Sequence, residues 1–182
     1  QVVISGTLIG DDSSRVVPVL LLMTALGVLV GVVNGVVTTV LKVPSLIGTL
    51  GMMLVLSGLI FYWTGGSAGE NPVDTFRQIG RGGIRDIPVL EILPYSVIIL
   101  AVVIVAATAL VRRPFGKGLV SIGGNAEAAR LSGVRVARSK CVAFVLSSLS
   151  ATVAGVLLVG FAGVHPSVGQ GYEFFAVTAV VL

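Results

Sequence analysis

Apolar residues run along this chain in four long blocks, and the charges fall between them. The first block, Val16–Leu41, has 26 residues without a charge, flanked by Arg15 and Lys42. At 1.5 Å per residue a helix of that length reaches about 39 Å, more than the roughly 30 Å hydrocarbon core of a bilayer, so it tilts or protrudes. Pro18 sits in its first turn, where a missing N–H costs little. Further blocks cover about 46–63, 93–111 and 142–163. The stretches 1–9 and 174–182 are also apolar and end without a polar flank. They are expected to be partial spans, and the sequence an internal piece of a longer protein, cut within a span at each end. The pattern predicts an all-α, polytopic transmembrane helix bundle, with residues 1–182 forming part of one transmembrane domain.

Composition agrees with the pattern. Of the 182 residues, 55% are apolar and 11% charged, and the mean hydropathy is +1.06. A soluble domain carries about 25% charged residues, so too few are present here to cover a water-facing surface. With one cysteine, Cys141, no internal disulfide is possible within the sequence.

The placement of charge orients the spans. By alternation, Lys42 and the 112–140 connection share one side of the membrane. Residues 1–15, 64–92 and 164–173 share the other. The first side holds eight cations (Lys42, Arg112, Arg113, Lys117, Arg130, Arg135, Arg138 and Lys140) against Glu127, a net of +7. The second holds four cations against seven carboxylates, a net of −3. Lys and Arg are retained in cytoplasmic loops. The 112–140 connection is therefore expected in the cytoplasm and 64–92 outside. This distribution also accounts for the net charge of +4 without a nucleic-acid partner. The external connection is rich in Gly and Pro and is expected to form turns with short strand or helix pieces. Tyr62 and Trp63 fall at the depth of an aromatic belt.

Within the spans the chemistry is sparse. Gly27, Gly31 and Gly35 make two successive GxxxG steps, the spacing that lets helix backbones approach in lipid. Ser147, Ala151 and Gly155 repeat the device in the fourth span, and the second carries Gly48, Gly51, Ser57 and Gly58. Asn34 and Thr38 lie beside the first stripe. A mid-span amide needs a partner, so these two are candidates for a solute path. No whole span contains Asp, Glu, Lys, Arg or His. Proton- and ion-coupled carriers commonly use such groups as relays, and a membrane enzyme needs catalytic groups at depth, so energy for uphill transport is expected to enter from outside the chain.

Two nucleotide motifs are rejected. "RRPFGKGL" lacks both the leading Gly and the Ser or Thr after Lys117 that a phosphate loop requires. "GRGG" at 80–83 has Arg85 where a dinucleotide fingerprint requires Gly. His165, the lone histidine, has no companions for a metal site, and Cys141 reads as a packing residue.

The stretch "GGNAEAARLSG" writes a short helix with both ends marked. Asn125 is a good N-cap. Glu127 suits the positive end of the dipole, Ala126, Ala128, Ala129 and Leu131 favour helix, Arg130 reaches Glu127 at i+3, and Gly133 suits the C′ position. A two-turn helix is unstable alone and has to dock. Its small face, Ala128, Ala129 and Ser132, is expected to be exposed and to lie in a groove. The alternative is an inert connector whose cations only fix topology.

"RRPFGKGLVSIGGNAEAARLSGVRVARSK", a span, then "PSVGQGYEFFAVTAVVL", together with the earlier "GVVNGVVTTVLKVPSLIGTLGMMLVLSGL", resembles the membrane permeases of bacterial ABC importers for ribose, xylose, galactose and related sugars. The likeness runs from about Val19 to Leu182. It implies a transport subunit and not an enzyme, with no cofactor of its own, because ATP and Mg bind a separate cytoplasmic ATPase. It implies a second permease subunit and an extracytoplasmic sugar-binding protein as further partners within the bilayer. It also implies that the short helix is the coupling helix, carried by Gly124, Asn125, Glu127, Ala128, Ala129, Arg130, Ser132 and Gly133. The rival readings are a permease for another small solute (a branched-chain amino acid or nucleoside), a passive channel or facilitator, and a membrane enzyme.

Overall fold

A computed structural model describes Leu8 and residues 15–66, 82–87, 90–164 and 167–182. The expected partial span at 1–9 (Leu8 apart), part of the external connection, and His165 lie outside the described residues.

Among the described residues four helices are long and apolar enough to cross a membrane: α1 Val16–Thr39, α2 Ser45–Thr64, α3 Tyr95–Arg112 and α6 Val136–Ala162. Between α3 and α6 come α4 Pro114–Gly124 and α5 Ala126–Leu131, and α7 Tyr172–Val181 closes the chain. The external connection contributes a hairpin of β1 Gly83–Ile87 and β2 Leu90–Pro94, antiparallel, with Gly83 opposite Pro94 and Ile87 opposite Leu90. The fold is thus a polytopic helical bundle with one small hairpin among the described residues.

The bundle is organised by one antiparallel contact, α1 against α6. The buried residues of α1 are Val19, Met23, Gly27, Gly31 and Gly35, spaced four apart along one ridge. A side chain at Gly31 would stand 2.6 Å from the Cα of Val145, and one at Gly35 2.7 Å from the Sγ of Cys141. Both lie well inside van der Waals contact, so the glycines let the two backbones touch. Towards the other end of the pair, Met23 and Val159 are fully buried and pack with Val19 and Val164.

The small stripe expected on the fourth span does not make this contact. Ser147 and Ala151 are exposed. The glycine ridge instead receives Cys141, Val145, Ser148 and Thr152. Cys141, Ser148 and Thr152 are themselves small, so the approach rests on small residues of both helices, with Val145 opposite Gly31. On α2 nothing is buried, and a side chain at Gly51 or Gly58 would meet nothing within 4 Å. Only Gly48 approaches α1, near Val37 and Thr38.

Hydroxyls in the spans are satisfied locally. Thr24, Thr38, Thr39, Thr108 and Thr152 each donate to the carbonyl oxygen four residues earlier, which removes the need for a partner in lipid.

Two features differ from the sequence expectation at the charged side. Helix α6 begins at Val136, six residues before the apolar block at 142, because Arg138 and Lys140 occupy its first turns. A helix continues into water where a hydropathy count stops. Helix α4 was not expected, since Gly116, Gly118, Gly123 and Gly124 all disfavour helix. Tertiary contact overrides propensity: Pro114 starts the helix at N1, and Gly116 is buried against the backbone of Leu110 and Val111 at the α3–α4 corner.

The α1–α6 contact is tested by paired substitutions followed by unfolding midpoints in detergent. Gly31→Leu is expected to destabilise the protein by roughly 3 kcal/mol. Gly51→Ala, in open space on α2, is expected to be neutral or to stabilise by up to about 1 kcal/mol.

Candidate functional site

The 112–140 connection is a rigid corner built from two short helices and one hinge residue. Asn125 has an extended backbone, with φ −155° and ψ 107°. Its N–H donates to the carbonyl of Ser121 at 3.1 Å and so closes α4. Its side-chain Oδ1 accepts from the N–H groups of Glu127 and Ala128, both at 3.0 Å, and so opens α5. One residue therefore caps two helices and fixes the angle between them.

The far end of α5 is closed as tightly. Gly133 takes φ +86°, which a side chain would strain. Its N–H donates to the Arg130 carbonyl at 3.0 Å, and the N–H of Val134 donates to the Ala129 carbonyl at 3.0 Å. These are the paired bonds of a Schellman motif. Ser132 adds a hydroxyl bond to the Ala128 carbonyl at 3.0 Å. Val134 packs towards Gly118, joining the cap to α4.

The surface this geometry presents differs from the expected one in one residue. Ala129 is 4% exposed and faces the protein, so it is not part of a displayed face. In a helix that leans on α4, one side must turn inward, and Ala129 occupies it. Gly124, Asn125, Glu127, Ala128, Arg130, Ser132 and Gly133 are exposed. Glu127 and Arg130 form an ion pair at 3.4 Å, each about 70% exposed, which contributes little to stability. Leu131, 81% exposed, was read from sequence only as a helix former. It stands three residues after Ala128, so the two apolar side chains share one solvated side of α5.

Asn34 and Thr38 lie one turn apart on α1. The Thr38 hydroxyl donates to the Asn34 backbone carbonyl at 2.8 Å. The side-chain Oδ1 of Asn34 is buried and has no hydrogen-bond partner among the described residues. Leaving such an atom unpaired costs about 1–3 kcal/mol. Thr38 lines an open cleft of about 1330 Å³ between the end of α1, the start of α2 and the α4–α6 corner, whereas Asn34 stands outside its lining.

The cap of α5 is tested by hydrogen exchange. Asn125→Ala is expected to weaken α5 by about 1 kcal/mol and to speed exchange across 126–131, with α1 and α6 unchanged. Asn125→Asp, which keeps an acceptor, should restore protection.

Comparison with known proteins places this architecture. The profile of the family described as branched-chain amino acid transport system / permease component matches residues 2–182. The ribose import permease protein RbsC of Escherichia coli (strain K12) is 33% identical over 186 residues, covering 98% of this chain and 56% of the relative. The L-arabinose transport system permease protein AraH of the same organism is 37% identical over 151 residues, covering 82% and 44%. The autoinducer 2 import system permease protein LsrC of Klebsiella pneumoniae subsp. pneumoniae is 31% identical over 159 residues, covering 87% and 45%. The chain spans about half the length of these curated relatives. No solved structure matches. With four membrane-capable helices and a family match over nearly its whole length, the chain belongs to the bacterial import-system permeases described as branched-chain amino acid transport system / permease component.

Proposed function

We propose that this chain is part of the transmembrane permease subunit of an ATP-driven importer for a monosaccharide such as ribose, and that α5 couples it to a separate cytoplasmic ATPase. The observation that carries the reading is the doubly capped α5, which packs on α4 and leads into the membrane-capable α6 with Ala128 and Leu131 displayed. A helix this short, rigid at both ends, transmits a push to the helices beside it. The sugar assignment is supported by relatives named for ribose and L-arabinose import.

In this mechanism two permease subunits frame the path and an extracytoplasmic sugar-binding protein delivers the solute. ATP and Mg bind the ATPase pair, which closes and moves the two α5 helices together. That motion opens the outer side, and hydrolysis returns the inward-facing state. The ATPase drives the change only as far as it binds the two states differently. The corner at Asn125 and Gly133 serves as the stiff element through which α6 follows α5. Asn34, with its unpaired amide oxygen, and Thr38 are the residues of α1 assigned to the solute path. The family's own description favours a second reading, in which the solute is a branched-chain amino acid. Competition of labelled ribose uptake by leucine separates the two.

The coupling role is tested by co-purification with the ATPase subunit. Wild type is expected to retain the ATPase, and a chain with 125–132 replaced by a Gly/Ser linker to lose it. Ala128→Trp should leave the helix folded but lower uptake about tenfold or more, since over-filling an interface costs roughly 1–3 kcal/mol. Equal retention by wild type and linker variant would overturn the role. For the path, Asn34→Leu removes a buried orphan and should leave stability unchanged or raised. Uptake is nevertheless expected to fall, and normal uptake in that variant removes Asn34 from the path.

A further inference from the structure

The cleft beside α5 has a charge pattern that coupling does not explain. Lys42, Arg130, Arg135, Arg138 and Lys140 all line it. Arg130 is paired with Glu127. None of the other four has an ion-pair partner among the described residues. Among the described residues no Asp, Glu, Asn or Gln lines the cleft. The Thr38 and Thr39 hydroxyls that line it already donate to backbone carbonyls. The starts of α2 and α6 also open onto it, and neither Pro44 nor Arg135 supplies a side-chain cap. Such a lining offers positive charge and N–H donors with few acceptors, which selects an anion over a sugar.

The cleft is also amphipathic. Lys42 follows the end of α1, Arg130 stands on α5, and Arg135, Arg138 and Lys140 sit at the start of α6, while Ala143, Phe144 and Ser147 continue the wall along α6. From Val136 to Ser147 that wall runs about 16 Å along the helix axis, into the membrane-spanning part. A soluble anion uses only the charged mouth. A molecule with an anionic head and an apolar tail uses both parts.

Lys42 adds an independent sign. It is the one non-glycine residue with positive φ among the described residues, at 55°. Glycine or asparagine is the ordinary occupant of such a position. A lysine held there is a cation retained against backbone preference, which points to use of its charge.

We propose that this cleft binds the phosphodiester headgroup of an anionic phospholipid of the adjoining leaflet, with an acyl chain along the apolar wall of α6. The lipid bridges the end of α1 to the start of α6 where the two backbones diverge from their glycine contact. The site shares Thr38 with the proposed solute path and Arg130 with the proposed coupling helix, and the headgroup is held by the other cations, Lys42, Arg135, Arg138 and Lys140.

The test uses the full-length chain, delipidated in detergent and exchanged into mixed micelles of phosphatidylcholine with phosphatidylglycerol. Native mass spectrometry then counts retained lipids. Wild type is expected to keep phosphatidylglycerol in preference to phosphatidylcholine. Arg135→Gln with Arg138→Gln should lower that retention about thirtyfold, at roughly fivefold per cation. Lys42→Gly removes a charge and relieves the backbone, so it should lose lipid while its unfolding midpoint holds or rises. Arg112→Gln with Arg113→Gln, cations outside the cleft, should retain lipid. No preference for phosphatidylglycerol overturns the proposal, as does an equal loss in the Arg112 and Arg113 control. Displacement of the lipid by millimolar inorganic phosphate also overturns it, by assigning the cleft to a soluble anion.

Discussion

Helices in a bilayer gain nothing by hiding apolar surface from one another, because the lipid is as apolar as they are. What holds them is close contact between backbones, and in this chain that contact is concentrated where Gly31 and Gly35 of α1 meet Val145 and Cys141 of α6. The rest of the arrangement follows from it. It fixes the depth of α6 relative to α1, and hence the position of the charged first turns of α6. Those turns set where the α4–α5 corner stands and leave the cleft open between α1 and α6. By contrast, α2 and α3 bury no residue among those described, and their apolar surfaces are the surfaces a bilayer or a neighbouring helix covers.

On the charged side, hydrogen-bond geometry at the helix ends adds to the small apolar burial of Ile122 and Ala129. Asn125 and Gly133 hold six residues of helix by their ends, and Gly116 lets α4 fold back on α3. Each device uses a residue type whose chemistry is local: an amide that competes for backbone donors, and glycines that accept left-handed or crowded backbone. A corner of this kind turns as a unit, which suits a segment that passes force between a soluble partner and membrane helices.

Much of this was legible in the sequence. Apolar runs of about 20 residues report spans because the bilayer leaves the backbone few alternatives. The two ends of α5 were legible because Asn125 and Gly133 act on their own neighbours. The unread parts depend on residues distant in sequence. The face of α6 that meets α1 carries Cys141, Val145, Ser148 and Thr152, and in the sequence its small pair Ser148 and Thr152 competes with the equally spaced Ser147 and Ala151. Helix α4 has four glycines and forms because α3 receives it. Ala129 looks identical to Ala128 in the sequence, and only the docking of α5 on α4 separates the buried alanine from the displayed one.

The pairing of α1 with α6 also sets a timetable for biosynthesis. Roughly 100 residues separate the end of α1 from the start of α6. At about 5–20 residues per second, a ribosome takes some 5–20 s to make them. Through that interval the glycine ridge of α1 sits in the membrane without the helix it was shaped to meet. A flat, small-residue face is the surface by which any two transmembrane helices join most readily. The nascent chain therefore has a defined period in which its best interface is open to the wrong helix.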